Sequence, residues 1–175
     1  MNRRHFLRTL GMSSGALLVL GPLAACRPDD EAFARDFIQP RHYWRDKVSE
    51  ERWHILFEEG TERAFSSPLD RETRPGTYIC AACHFPLFGS DTKYDSGTGW
   101  PSFWAPMDED RVGTKADYKL ILPRTEYHCA RCGGHQGHVF EDGPEPTGER
   151  WCNNGLALHF IPEGEPLPEL RGEPS

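Results

Sequence analysis

Two C-x-x-C pairs, Cys80-Ala81-Ala82-Cys83 and Cys129-Ala130-Arg131-Cys132, restrict this chain more than any other feature, and 45 residues separate them. Two such pairs can present four thiolates at the corners of a tetrahedron, as a structural metal site requires. A strand-like run precedes each pair (Tyr78-Ile79 and Tyr127-His128), and Gly133-Gly134 after the second lets the backbone turn around an ion. One ion held by both pairs would tie distant parts of the chain, and its binding energy would count as folding energy. Disulfides are the rival reading, with three pairings open to four cysteines. A thioredoxin-like redox role is disfavoured, because neither pair lies in a β-α-β setting.

The N-terminus bears on that choice. Residues 1–25 have a basic start, a short apolar run and small residues before Cys26. The run is too short to cross about 30 Å of hydrocarbon, so it reads as an export signal. Asn2-Arg3-Arg4-His5-Phe6-Leu7-Arg8 resembles a twin-arginine signal, and Leu23-Ala24-Ala25-Cys26 resembles a lipobox. The first resemblance implies export of an already folded protein, so a metal could be loaded before the chain meets an oxidising compartment, which favours metal over disulfides. The second implies cleavage before Cys26 and a lipid anchor on that thiol, with a soluble periplasmic protein as the alternative. Either way the protein is expected to be exported, periplasmic or in the cell envelope. Losing Arg3, Arg4 and Arg8 takes the formal charge from −7 to −10. An acidic body of that kind argues against a nucleic-acid partner.

The remaining 150 residues amount to one domain. Residues 26–44 read as a polar tether, and 45–161 as the folded domain. Ser49 is placed to cap a helix with Glu50 and Glu51 in its first turn, Trp53, Leu56 and Phe57 on one face, and Gly60 as its stop. From Pro75 the pattern turns to strands: Thr77–Ile79, Tyr118–Leu122, Glu126–His128, Val139–Phe140 and Leu156–Phe160, separated by Gly, Pro, Asp and Asn clusters. Leu156, Leu158 and Phe160 alternate with Ala157 and His159, as in a strand with one buried face. The class is therefore mainly β with a helical N-terminal element. The Pro- and Glu-rich segment 162–175 is expected to be disordered.

With Cys26 and the four paired cysteines set aside, Cys152 is the one thiol left, and its surroundings are the guide to its reactivity. Arg150 lies two residues before it. His135 and His138 lie upstream, three apart, with Asp142 four residues after the second. Imidazoles and a guanidinium can lower a thiol pKa and supply a proton, and a carboxylate can orient an imidazole. Three longer words surround these residues: Tyr94-Asp-Ser-Gly-Thr-Gly-Trp100-Pro-Ser-Phe103, His135-x-Gly-His138-Val-Phe-x-Asp142-Gly-Pro, and Pro146-Thr-Gly-Glu-Arg150-Trp-Cys152-x-Asn154. In this order, over roughly residues 45–161, they resemble the methionine-R-sulfoxide reductases, and the C-x-x-C pairs sit where metal-containing members carry theirs.

That resemblance implies two antiparallel sheets around a small core, peripheral N-terminal helices and a four-cysteine site for zinc, with iron as the alternative metal. It implies Cys152 as nucleophile, Trp100 and Phe140 against the substrate, and His138 near the sulfoxide oxygen. Asp142 would orient His138, with His135 nearby, Asn154 supporting the site and Arg150 favouring the thiolate. Partners implied are oxidised protein substrates and a thioredoxin-like or other thiol reductant, with the enzyme a monomer. The sequence departs from the family in three places: Thr98 stands where many members carry a resolving cysteine, Trp151 where Tyr is usual, and Gly155 where Ser is common. With Thr98 there, an external thiol is expected to reduce the Cys152 sulfenic acid.

Overall fold

The structure is a computed structural model that describes residues 37–119 and 123–173. The export signal, Cys26 and the first part of the expected tether lie outside the described residues.

Ser49 caps the helix as its position suggests, its hydroxyl accepting from the Arg52 N–H at 3.3 Å, and helix α1 runs Glu50–Glu58. The turn that ends it is Glu59, in left-handed backbone, and not Gly60; the Gly60 N–H closes the helix by donating to His54 O. Trp53, Ile55, Leu56 and Phe57 are buried.

Among the described residues nine strands follow. β1 (Gly76–Cys80), β2 (Pro86–Gly89) and β9 (Leu158–Pro162) form one antiparallel sheet in the order β2-β1-β9. The other is also antiparallel and has the order β3-β4-β8-β7-β6-β5: β3 (Lys93–Tyr94), β4 (Ser102–Phe103), β5 (Val112–Asp117), β6 (Arg124–Cys129), β7 (His135–Phe140) and β8 (Arg150–Asn153). The architecture is the expected one, mainly β with two antiparallel sheets and a peripheral helix. The strand expected over 118–122 is displaced. Pairing with β6 runs from Val112 to Asp117, and Tyr118 is 75% exposed beyond its end, while 120–122 lie outside the described residues. At the far end Gly155–Ala157 form a 3-10 turn and β9 begins at Leu158; Ala157 is buried and Leu156 only partly so, which breaks the expected alternation.

Strand alternation divides the six-stranded sheet into two chemistries. One face carries Phe103, Tyr127 and Trp151 toward Tyr78 and Phe88 of the smaller sheet. Phe88 stacks on Phe103 at 4.3 Å between centroids, and Tyr78 on Phe103 and Tyr127 on Trp151 meet edge-on at 4.9 Å. These rings form the core between the sheets, each burying large apolar area. The opposite face carries a row set by register across all six strands: Tyr94, Ser102, Cys152, His138, Glu126 and Lys115.

Both chain ends add to the packed unit. Trp44, placed in the tether by its sequence context, is fully buried, so the folded body starts before residue 45. Residues 162–173, expected to lack order, return along the first cysteine pair. The Arg171 N–H donates to Cys83 O at 3.0 Å, His84 Nδ1 meets Glu169 O at 3.0 Å, and the Gln39 side chain donates to Gly172 O at 3.0 Å. Composition could not reveal this, because the order comes from backbone hydrogen bonds and from Gly172 lying against the Trp44 ring. Removing residues 167–175 is therefore expected to lower stability by about 3 kcal/mol, the net worth of these three hydrogen bonds. Urea unfolding of the truncated and full chains checks this, and identical midpoints would show that the segment contributes nothing.

Candidate active site

The two cysteine pairs have one backbone design. In each, the first cysteine's N–H donates to a carbonyl five residues on (Phe85, Gly134), and the residue four on donates back to the first cysteine's carbonyl (His84, Gly133). That fourth residue turns left-handed in both, with φ +63 at His84 and +72 at Gly133. Gly133 is needed twice over, since a Cβ there would also strike the Phe37 ring.

The four sulfurs lie within 4.8 Å of one another, and no cysteine of the set is more than 3% exposed. Cys80 Sγ and Cys132 Sγ are 3.6 Å apart, as are Cys83 Sγ and Cys129 Sγ. A disulfide needs about 2.05 Å. Four thiolates around an ion at about 2.3 Å stand about 3.8 Å apart, and the observed spacing fits that. Burial opposes ionisation of Cys80, yet hydrogen bonds from its three neighbours pull its pKa well down, while Cys132 is pushed well up, burial first. Four buried sulfurs at this spacing are a donor set for a cation. Gln136 reaches over it, its amide nitrogen 3.6 Å from Cys80 Sγ.

Cys152 lies in β8 between Ser102 of β4 and His138 of β7. It opens into a pocket of about 110 Å³ lined by Thr61, Trp100, Arg124, Gly137, His138, Phe140, Asn153 and Asn154. Gly137 backs the thiol, and a Cβ there would overlap the Cys152 carbonyl, so only glycine lets β7 pass this close. Burial pushes the Cys152 thiol up; the Arg150 charge and hydrogen bonds from Thr98 and Arg150 pull it back.

His135 and His138 are three apart and would face opposite sides of a regular strand. A bulge resolves this: His128 pairs with His135 while Tyr127 pairs with Gly137, leaving Gln136 as the extra residue. The two rings then share a face, with centroids 5.5 Å apart. His135, 2% exposed, does not line the pocket; its Nδ1 meets Glu126 Oε1 at 2.9 Å. Glu126 is also 3.1 Å from the Lys115 ammonium.

Asp142 is a correction. The sequence places it to orient His138, but it grips Arg150 with two bonds of 2.8 Å, its own side chain 63% exposed. The chain turns at residues 145–147, after Asp142, and the returning β8 brings Arg150 beside it. The carboxylate on His138 is Asp117, which receives Nε2 at 2.8 Å and Arg124 Nη2 at 2.6 Å. Burial works against the Asp117 charge, but the Lys119 N–H, His138 and Arg124 hold it well below the usual carboxylate range. An ionised Asp117 only accepts, so Nε2 carries the proton and Nδ1 is the nitrogen left for the pocket. Burial lowers the His138 pKa, and Asp117 counters it.

Glu62 is, after Glu126 and Asp117, a third buried carboxylate that sequence reasoning missed. It accepts from the Gly155 and Leu156 N–H groups, its own N–H donates to Asn154 Oδ1, and its carbonyl accepts from Trp100 Nε1 at 3.1 Å. Asn154 also donates to Gln136 O at 2.9 Å. Trp100 and Asn154 are thus fixed to one segment. The Arg150 guanidinium lies 4.3 Å over the Phe140 ring. No periodicity or motif marks Asp117, Glu126, Arg124 or Glu62; their partners depend on register.

A half-buried thiol beside a carboxylate-held imidazole, in a pocket with an aromatic wall, forms a candidate active site on a two-sheet scaffold with a four-cysteine site. The comparisons narrow the class. Residues 48–162 match the SelR domain, and the chain belongs to that family. Among its relatives, the protein named "Peptide methionine sulfoxide reductase MsrB" from Methanosarcina barkeri is 50% identical over 122 residues, covering 70% of this chain and 86% of that one. The protein of the same name from Agrobacterium fabrum is 51% identical over 119 residues, 68% and 88% of the two chains. That from Pseudomonas paraeruginosa is 46% identical over 124 residues, 71% and 94%.

Two substitutions test this electrostatic reading. Arg150→Met is expected to raise the Cys152 pKa, so that alkylation of Cys152 by iodoacetamide at pH 7 slows several-fold and its titration moves to higher pH. Asp117→Asn removes the group that supports the imidazolium, so the His138 pKa is expected to fall further, as read by the pH dependence of its ring shifts in NMR.

Proposed function

We infer that this chain is a peptide-methionine (R)-S-oxide reductase that works through Cys152, and that it repairs oxidised proteins. The carrying observation is Cys152 beside His138, itself held by Asp117, in a one-side-chain pocket walled by Trp100. A sulfoxide sulfur is a poor electrophile until its oxygen takes a proton. The thiol supplies one through His138, whose free Nδ1 accepts it and passes it to the sulfoxide oxygen while Asp117 supports the imidazolium. Trp100 and Phe140 receive the apolar S-methyl end, and Asn154 fixes the rim.

The oxygen then moves to Cys152 Sγ. The methionine sulfur gains two electrons, the cysteine sulfur loses two, and methionine leaves while Cys152 becomes a sulfenic acid. Two external thiols return the enzyme to Cys152 thiol, forming one disulfide and one water. Among the described residues no cysteine outside the four-cysteine set stands beside Cys152, and Thr98 occupies the loop position a resolving thiol would need. A thioredoxin-like or low-molecular-weight thiol is the reductant we assign. The Cys80, Cys83, Cys129 and Cys132 set would hold zinc, or iron, with a structural and not a chemical role. Export and anchoring at Cys26, repair in the cell envelope and a monomeric state complete the proposal, supported by Arg3-Arg4 and the residues before Cys26.

Cys152→Ser is expected to abolish reduction of methionine-R-sulfoxide, by at least about 10³-fold, with fold and metal content intact. The wild type should leave the S epimer untouched; turnover of S alone would overturn the assignment. After one turnover without reductant, mass analysis should find one added oxygen on Cys152. An internal disulfide to Cys152 would sink the external-reductant route.

A further inference from the structure

Phe65 presents its ring to solvent, 62% exposed, from a left-handed backbone with φ +63. A bulky residue in that conformation is an outlier, and the fold gains nothing from wetting an aromatic ring. Its surroundings are specific. The Phe65 N–H donates to Gly99 O at 2.7 Å and its ring lies against Gly99, the residue before Trp100. Phe65 also forms one wall of a groove of about 550 Å³, whose other walls include Asp70–Arg74, Ser90, Lys93–Asp95 and Gly97. Trp100 lines the Cys152 pocket, and Gly97 and Phe65 line the groove, so the short loop from Gly97 to Trp100 contributes to both cavities.

The pocket has room for one side chain, so the rest of a polypeptide substrate must lie across its rim. The charges in the groove are balanced and partly engaged: Arg74 pairs with Glu72, and the Lys93 ammonium donates to Asp70 O. The ring is the recognition element that remains. We propose that this groove receives the residues flanking an oxidised methionine, and that Phe65 seats an apolar side chain next to it. The proposal rests on the reductase reading above and adds a preference among polypeptide substrates.

The test uses the full chain as wild type, Phe65→Asn and Phe65→Tyr, since asparagine accepts left-handed backbone. Substrates are N-acetylmethionine-R-sulfoxide and two oxidised hexapeptides with leucine or serine beside the sulfoxide. The wild type should favour the leucine peptide. Phe65→Asn should raise KM for that peptide about fivefold, with kcat and turnover of the N-acetyl compound unchanged, and Phe65→Tyr should restore it. Equal losses on the N-acetyl compound would overturn the proposal, because Phe65 would then merely support the Trp100 loop. An unchanged peptide KM with a raised KM for thioredoxin would also overturn it and give the groove to the reductant. A wild type inactive on every sulfoxide would overturn the reductase reading and this proposal together. Activity without flanking preference would overturn this proposal alone.

Discussion

Four cysteine sulfurs cannot share one buried site in their charged form without a cation among them, and much of this structure is arranged around that requirement. The first pair lies at the turn from β1 to β2, in the small sheet, and the second at the turn from β6 to β7, in the large one. One ion bound by both pairs therefore joins the two sheets at a common end. It complements the aromatic stack, which holds them together by area but without fixing direction. The second turn also launches β7, and the bulge that places both histidines on one face begins at its first residues. Position beside the Cys152 thiol is thus set partly from the end that carries the four cysteines.

The polar face shows how the sheet turns register into reactivity. Antiparallel pairing brings Cys152 beside His138, His138 beside Glu126, and Glu126 beside Lys115, although these residues are scattered over nearly forty positions of chain. Two carboxylates serve the two histidines separately: Glu126 binds His135 and Asp117 binds His138. Each is backed by a cation, Lys115 or Arg124. Burial works against charge on both Cys152 and His138, while the Arg150 charge and the Asp117 carboxylate pull the other way.

The parts legible in the sequence were those whose chemistry is local. The C-x-x-C pairs, the Ser49 cap and the lone Cys152 each announce themselves within a few residues. The words around Trp100, His138 and Cys152 carried the family. What failed depended on distance. Asp142 is near His138 in sequence, yet the hairpin turn at residues 145–147 brings Arg150 back to it, and the partner of His138 comes from the end of β5. The strand Val112–Asp117 has little apolar content and reads as loop, because its pairing and not its hydrophobicity makes it a strand. The Pro- and Glu-rich tail misled in the same way, since composition does not register a backbone hydrogen bond to Cys83.

The contact between Gln39 and Gly172 has a geometric consequence. The first and last described stretches of chain meet beside the cysteine cluster: Phe37 rests on Gly133 and Arg171 on Cys83, while the Cys152 pocket is lined by neither stretch. The described chain is nearly a closed loop with its seam at the cysteine cluster. Joining residues 37 and 173 by a short linker and opening the chain near Thr147, at the exposed tip of the β7–β8 hairpin, would give a circular permutant with every described strand intact.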